Sequence, residues 1–358
     1  MTITDIRCHR LTAPLHTPFV TALRRTDDLE TTVVEVVDDE GRRGYGEAPQ
    51  VWRITGESLA GADACLSGPL ADVVRGRSLD DLETLADELA EAVVGNTGAK
   101  AAMEIALHDL AAQRAGVSLV TFLGGAFGEQ RVPTDVTLSA GEPDDLAAGA
   151  AARTRDGFGV LKLKVGTDAA TDVARVQAVR DAAPQARIRV DANQGWTPDE
   201  AITVIRALED AGLDVEFVEQ PVHRDDVAGM ARVTAAVDTP VMADESVFGL
   251  PQLRAVIEHR AADLVNVKLT KCGGLRVGRR LLDLAREAGM GTIVGSMMEG
   301  PIGVGAAAAL VAAAGTSQVS DLDAAWWLAS SPVVGGATYG EGVIVLPAAP
   351  GLGITGLV

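Results

Sequence analysis

The sequence predicts an α/β protein: a (β/α)7β-type TIM barrel preceded by a smaller α+β domain. Three observations carry that prediction. Short apolar runs end in a charged residue at Lys164, Asp191, Glu219, Asp244 and Lys268, spaced 24 to 28 residues apart, which is the length of a strand–helix unit. From residue 131 onward, eight strand-like runs alternate with helical patterns, whereas the preceding stretch has strands first and helices after. An open doubly wound sheet also alternates strand and helix. Eight beats without a long interruption favour the closed barrel.

A chain of 358 residues, 47% hydrophobic, can bury a barrel and a second domain. Thirty-nine glycines and 3% aromatics favour tight packing of helices and strands over stacking surfaces. The formal charge of −19 excludes nucleic acid as a partner, since phosphates would be repelled, and serves solubility. Cys8, Cys65 and Cys272 form no CxxC pair and read as free thiols in a reducing compartment. The first twenty residues carry Asp5, Arg7, His9, Arg10 and His16 without an apolar core segment, unlike a secretory signal. The longest apolar run, residues 302–315, is too short for a bilayer. A cytoplasmic protein without membrane contact is the expectation.

Residues 3–11, 31–37 and 42–47 are β-rich and predict a small antiparallel sheet, with Asp38-Asp39-Glu40-Gly41 as a turn. Residues 14–28 read as a polar loop containing Thr21, Arg24 and Arg25, and residues 49–57 as a second loop. Helical patterns follow at about 57–73, 79–93 and 97–114. The barrel strands are placed at 132–138, 160–164, 188–191, 215–219, 240–244, 264–268, 292–295 and 318–321. Helices are expected at 144–155 and 168–182, after Thr197-Pro198-Asp199-Glu200, and from Gly273-Gly274 to about 288. The eighth helix is weak or missing. The segment from Trp326, with its β-rich 342–346, is expected to return to the first domain. This divides the chain into 1–125, 126–325 and 326–358.

A barrel collects functional side chains at its C-terminal strand ends. Asp191, Glu219 and Asp244 close three successive strands, so their carboxylates can meet over the mouth. Oxygen donors without Cys or His suit Mg2+. A single Asp after a strand is as readily a helix cap; three in register are harder to explain that way. Lys164 and Lys268 end strands two and six, on opposite sides of the axis. A carboxylate substrate held by the metal would place its α-carbon between them, where one lysine removes the α-proton and the enolate is stabilised electrostatically. Lys162 and Lys164 face the same side, and their like charges are expected to lower the proton affinity of one. The plainer alternative makes Lys162 a barrel-interior charge paired with a carboxylate, and Lys268 a salt-bridge or phosphate lysine.

The set Lys162-x-Lys164, Asp191-x-Asn193, Glu219-Gln220-Pro221, Asp244-Glu245-Ser246 and Lys268-x-x-Lys271-x-Gly273-Gly274 resembles the enolase superfamily, in its muconate lactonizing enzyme subgroup, over essentially the whole chain. The resemblance implies an N-terminal capping domain completed by the C-terminal segment. It implies one Mg2+ on Asp191, Glu219 and Asp244, with Lys164 and Lys268 as bases on opposite faces. Lys162 would hold the enolate and tune Lys164, while Asn193 supports the metal ligands and Glu245 lies beside the metal and Lys268. Symmetric homo-oligomers are frequent in the family.

Within the subgroup, the eighth strand discriminates. Ser320-Asp321-Leu322-Asp323 puts two carboxylates on one side of a strand end. They suit an ammonium and repel a muconate or succinyl carboxylate; alone, the motif also fits an Asx-turn. It resembles the motif with which dipeptide epimerases hold the substrate's α-amino group. The expected activity is Mg2+-dependent 1,1-proton transfer at the α-carbon of a dipeptide's C-terminal residue, with L-Ala-D/L-Glu from peptidoglycan as favoured substrate. Thr21-Ala22-Leu23-Arg24 resembles the loop of Ala-Glu epimerases in which an arginine pairs with the glutamate side chain; a surface arginine is the alternative. Thr55 and Gly56 are expected to shape that pocket, and Ser296, Met297 and Met298 to line the region of the N-terminal residue. Glu299 precedes Gly300 where the family usually has serine. The rivals are an N-succinylamino acid racemase or o-succinylbenzoate synthase, a muconate-type cycloisomerase, and a binding barrel without turnover.

Overall fold

The structure is a computed structural model describing residues 2–20, 25–166 and 169–358. Its N-terminal part is an antiparallel sheet, β1 (Ile3–Val20), β2 (Arg25–Asp38) and β3 (Arg43–Pro49), in the order β1-β2-β3. Residues 14–20 and 25–28, expected within a loop, instead lengthen the two strands. Pairing resumes at Phe19–Thr26 and Val20–Arg25 after a register shift beyond Pro14. Bulges of this kind let polar strands continue past a proline. Arg24, with Thr21, lies outside the described residues.

Four helices and a short helical turn follow: α1 (Leu59–Ser67), α2 (Pro69–Val74), α3 (Leu82–Glu91), α4 (Thr97–Ala115) and α5 (Leu119–Phe122). The helix expected over 57–73 is broken at Gly68-Pro69, because proline cannot continue the hydrogen-bond ladder but suits a first helical turn.

The next strand diverges from expectation too. Residues 132–138 are not one barrel strand: β4 (Gln130–Pro133) leaves to pair with a C-terminal strand, and only β5 (Val136–Leu138) enters the barrel. The alternation then runs α6 (Pro143–Arg155), β6 (Val160–Lys164), α7 (Ala169–Ala182), β7 (Arg187–Asp191), α8 (Pro198–Asp210), β8 (Val215–Glu219), α9 (Val227–Thr234), β9 (Val241–Ala243), α10 (Leu250–Glu258) and β10 (Leu264–Lys268). It continues with α11 (Leu269–Cys272), α12 (Leu275–Glu287), β11 (Gly291–Gly295) and α13 (Pro301–Ala314). Helix α8 starts with the capping box read from Thr197 and Glu200.

Seven parallel strands lie side by side from β5 to β11. The eighth position is occupied by Ser320 and Asp321, which bridge Thr134 on one side and Gly295 on the other, both in parallel. No full strand forms there, but the ring of backbone contacts closes. After it, β12 (Val333–Gly335), β13 (Thr338–Gly340), β14 (Val343–Leu346) and β15 (Ile354–Leu357) form small antiparallel pairings. β14 pairs with β4, and Gly351 and Leu352 reach Leu119 at the start of α5 and Asp109 within α4.

Alternation along the strands sorts side chains by layer. Leu161, Leu163, Ile188, Val190, Val265 and Val267 face outward into the core beneath the helices. Inside, Phe217, Met242, Leu264 and Ile293 form a separate apolar plug. Arg189 lies over the Phe217 ring at 4.7 Å and pairs with Asp135 (3.0 Å) and Glu216 (2.6 Å). The charged layer follows at the C-terminal ends.

Carboxylates fasten the N-terminal domain to the barrel. Glu104 of α4 accepts from the Leu275 and Arg276 amides that open α12, and Glu47 of β3 accepts from Gly300 (2.6 Å) and Gly303 (3.0 Å) at the start of α13. Helix N-termini leave such amides unpaired and attract negative charge. The glycines are required by this approach. A Cβ on Gly274, whose φ is +135°, would meet Glu104 Oε2 at 1.8 Å. One on Gly300 would meet Glu47 Oε1 at 2.9 Å, which accounts for glycine after Glu299. Among the described residues, no helix is long and apolar enough to cross a membrane.

Candidate active site

Each barrel strand delivers its last inward residue to the same rim. Lys162 and Lys164 come from β6, Asp191 from β7, Glu219 from β8, Asp244 just after β9, and Lys268 from β10. The expected convergence is present. Lys162 Nζ lies 3.0 Å from Asp191, 2.7 Å from Glu219 and 2.7 Å from Asp321. Lys164 Nζ is 2.6 Å from Asp191, and Lys268 Nζ 2.9 Å from Asp244.

Proton affinities follow from burial and these neighbours. At Lys162 burial opposes the charge, but Asp191, Asp321 and Glu219 outweigh it and raise its proton affinity. The depression expected from two lysines on one face is therefore absent at Lys162, whose carboxylates are nearer than Lys164's charge is effective. Lys268 is raised in the same way against burial, chiefly by Asp244. Asp244 falls well below the usual carboxylate range despite burial, held by Lys268 and Lys271. Burial raises Glu219 to about 7, Asp191 and Asp244 adding to it and Lys162 opposing. Burial likewise raises Glu245 to about 7.

The rim encloses a cavity of about 840 Å3, its open mouth included. Lys164 from β6 and Lys268 from β10, four strands apart, line it with Asn193, Asp244 and Glu245, and Ser296, Met297, Met298, Asp321 and Asp323 complete the lining. Asp321 and Asp323 each have one oxygen tied down. Asp321 Oδ2 accepts from Lys162 (2.7 Å), and Asp323 Oδ2 from the Thr137 amide (2.8 Å) and Trp327 Nε1 (2.9 Å). No hydrogen bond among the described residues ties down the other oxygen of either. Burial, then Asp321, raises Asp323 to about 6, whereas Lys162 and Lys268 bring Asp321 to about 2 against burial.

Thr55 is placed differently. Its hydroxyl donates to Val51 O (3.3 Å), and it lines the neighbouring groove, with Gly56, rather than this cavity. Arg53 and Ile54 of the same loop face the cavity instead, as does Phe19.

Of the residues that position the rim, Asn266 was not singled out from sequence, and Lys271 and Gln220 entered only as members of the motif set. Asn266, two residues before Lys268 and so on the same face, donates to Glu219 Oε1 (2.8 Å). Lys271 holds Asp244 Oδ1 (2.5 Å) and Asn266 O (3.1 Å). Gln220 accepts from the Asp244 and Ser246 amides (2.9 and 3.1 Å), pinning the turn after β9. Asn193 (φ +43°) and Gln220 (φ +36°) take left-handed backbone at these strand ends, a strain tolerated where surrounding contacts enforce it. Asn193 donates to Glu245 (3.3 Å) and its amide to Asp191 Oδ1 (2.9 Å).

The donor set suits a hard divalent cation. Asp191, Glu219 and Asp244 offer only oxygen; beside them the buried Glu245 Oε2 has no hydrogen-bond partner, and Glu219 Oε2 meets the Lys162 ammonium at 2.7 Å. The tightest carboxylate group among the described residues is another one: oxygens of Asp135, Asp321 and Asp323 lie within 4.8 Å of one another. Those charges already have counter-ions or donors in Arg189, Lys162, Thr137 and Trp327.

Known proteins share this architecture. Residues 3–124 match the mandelate racemase / muconate lactonizing enzyme N-terminal domain, and residues 145–356 the enolase C-terminal domain-like family. The L-Ala-D/L-Glu epimerase of Bacillus subtilis (strain 168) is 43% identical, the match covering 99% of this chain and 97% of that protein. A substrate-liganded structure of the Bacillus subtilis L-Ala-D/L-Glu epimerase superposes with a TM-score of 0.97 at 42% identity, covering all of both chains. The dipeptide epimerase of Enterococcus faecalis V583, complexed with Mg and L-Leu-L-Tyr, superposes at 0.94 and 36% identity, covering 99% of this chain and 100% of that one. With both halves matched and the relatives spanning its full length, the chain belongs to the mandelate racemase / muconate lactonizing enzyme family of the enolase superfamily.

Proposed function

We propose that this protein is a Mg2+-dependent dipeptide epimerase that inverts the α-carbon of the C-terminal residue, with L-Ala-D/L-Glu, a peptidoglycan fragment, as favoured substrate. The observation that carries the reading is the placement of Lys164 and Lys268 on opposite walls of one cavity, with the free oxygens of Asp321 and Asp323 along its side. Two bases on two faces are what inversion needs. A paired carboxylate with one oxygen of each left open is what an ammonium needs.

Asp191, Glu219 and Asp244 would hold the Mg2+, with Glu245 beside it. When bound, the ion supplies Lewis-acid stabilisation of the negative charge that appears when the α-proton leaves. The chain's own residues do the rest. Lys164 in its neutral form takes the α-proton of one enantiomer while the Lys268 ammonium gives a proton to the opposite face; the roles reverse for the other enantiomer. Lys162, held as an ammonium by three carboxylates, adds fixed positive charge beneath the reacting carbon. Asp321 and Asp323 orient the substrate's amino end, and Met297 and Met298 exclude water beside it. Arg24 is proposed to face an acidic side chain at the C-terminal residue.

Incubation in D2O with Mg2+ and a panel of dipeptides and N-succinyl amino acids, read by mass and chirality, tests this. Deuterium incorporated at the α-carbon with inversion of L-Ala-L-Glu is expected. Exchange confined to N-succinyl amino acids would show that the strand-eight carboxylates do not select an amino end.

A further inference from the structure

We infer that Arg53 is a second specificity-determining residue for the site, joining Arg24 on an acidic side chain of the ligand; the inference rests on the dipeptide reading above and deepens it. Arg53 lines the cavity that holds Lys164 and Lys268 and also the groove beside it. It is exposed, and it has no hydrogen bond or ion pair among the described residues. That sets it apart from the other cations lining the cavity, since Lys164 and Lys268 are each ion-paired. In a chain of formal charge −19, a cation facing a cavity without a counter-ion is the uncommon case.

The backbone of this loop is held in place. The Thr55 and Gly56 amides donate to Val51 O at 3.2 and 3.0 Å, and Val51 bridges Glu57. Arg224, from the loop after β8, donates to Ile54 O at 3.1 Å and ties the turn to the barrel. Phe19, Val51 and Ile54 share the cavity lining with Arg53, and a charge-assisted hydrogen bond there is stronger than one between neutral groups. The nearby acid, Glu245, takes its hydrogen bond from Asn193 and does not pair with Arg53.

The cavity is therefore polarised. Asp321 and Asp323 stand at the strand that closes the barrel, while Arg53 lies by the loops after β8 and β9, where the same groove includes Arg224, Glu245 and Ser246. Those loops lie across the ring from the closing strand. A ligand with an ammonium at one end and a side-chain carboxylate at the other matches both poles. A bidentate arginine–carboxylate contact in such a setting is worth roughly 10- to 100-fold in affinity.

The test is equilibrium binding of L-Ala-L-Glu and of its neutral isostere L-Ala-L-Gln to the full-length, Mg2+-loaded protein. The wild type is expected to prefer the glutamyl dipeptide by at least tenfold, Arg53→Gln to lower that ratio at least fivefold, Arg53→Lys to keep more of it, and Arg53→Glu to lower it further than Arg53→Gln does. Equal affinities in the wild type, or a ratio that survives Arg53→Gln while Arg24→Gln abolishes it, would overturn the assignment to Arg53. If neither dipeptide binds the wild type, the dipeptide reading fails and takes this inference with it. That outcome is distinct from binding without preference.

Discussion

Two regions of this molecule hold buried carboxylates that are neutralised in two different ways. At the barrel mouth, Asp191, Glu219, Asp244 and Asp321 face lysine ammonium groups on flexible stems. At the junction with the N-terminal domain, Glu47, Glu104 and Asp109 face backbone amides. An ammonium can be exchanged for another cation, such as a metal ion or a substrate amine; an amide fixed in a helix or strand cannot. Charges meant to change partners are thus set against side chains, and charges meant to stay are set against the backbone. The first arrangement is chemistry, the second is architecture.

The largest effects are expected from breaking the mouth. Lys164→Ala and Lys268→Ala should each reduce epimerisation roughly 1,000- to 10,000-fold. Each should retain α-proton exchange, without inversion, only from the enantiomer whose hydrogen faces the remaining lysine. Chiral chromatography after incubation in D2O reads both effects. Inversion at more than a hundredth of the wild-type rate in either variant would remove that lysine from the proton path.

Next in size is the contrast between the regions. Glu104→Ala leaves the Leu275 and Arg276 amides unpaired at a buried helix start and should cost about 2–4 kcal/mol in urea unfolding. Mg2+ at a hundredfold excess over its dissociation constant should stabilise the wild type by about 2.7 kcal/mol. Glu104→Ala should keep that increment, and Asp244→Asn should lose it. If Asp321→Asn rather than Asp244→Asn lost it, the metal would belong to the Asp135, Asp321 and Asp323 group instead.

Much of the mouth was legible because a barrel imposes a period. A strand–helix unit has a nearly constant length, so Lys164, Asp191, Glu219, Asp244 and Lys268 betray themselves by spacing alone. Elements outside that rhythm were not legible. Residues 14–28 are polar enough to read as a loop, yet β1 runs on to Val20 and β2 begins at Arg25, paired with each other. The eighth strand shrinks to Ser320 and Asp321 because neighbouring strands supply the hydrogen bonds that a longer run would otherwise need. The junction carboxylates left no local pattern at all. Glu104 and Gly274 are 170 residues apart in the chain, and only the fold shows that the glycine lacks a side chain so that the carboxylate can reach the helix. Arg53 was passed over for the same reason: nothing in its neighbourhood in sequence marks it as the unpaired one.

The smallest expected effect probes the junction by pH. Asp109 accepts from the Tyr45 amide (2.9 Å) and the Leu352 amide (2.7 Å), joining β3, α4 and the C-terminal segment. Burial raises its carboxyl to about 6, with those amides and Gln113 opposing. A folded-state value above the unfolded one means that folding takes up a proton between about pH 4 and 6. Its contribution to stability is therefore most favourable in acid, declines as pH rises through that window, and levels off above it. From pH 5 to 7 the wild type should lose about 1 kcal/mol relative to Asp109→Asn, which cannot titrate. The asparagine variant loses one acceptor at every pH, so the slope of the difference, not its size, carries the information. A flat difference in urea unfolding across pH 4 to 7 would mean that the two amides hold Asp109 as a carboxylate throughout, and the junction would then be insensitive to acid at this position.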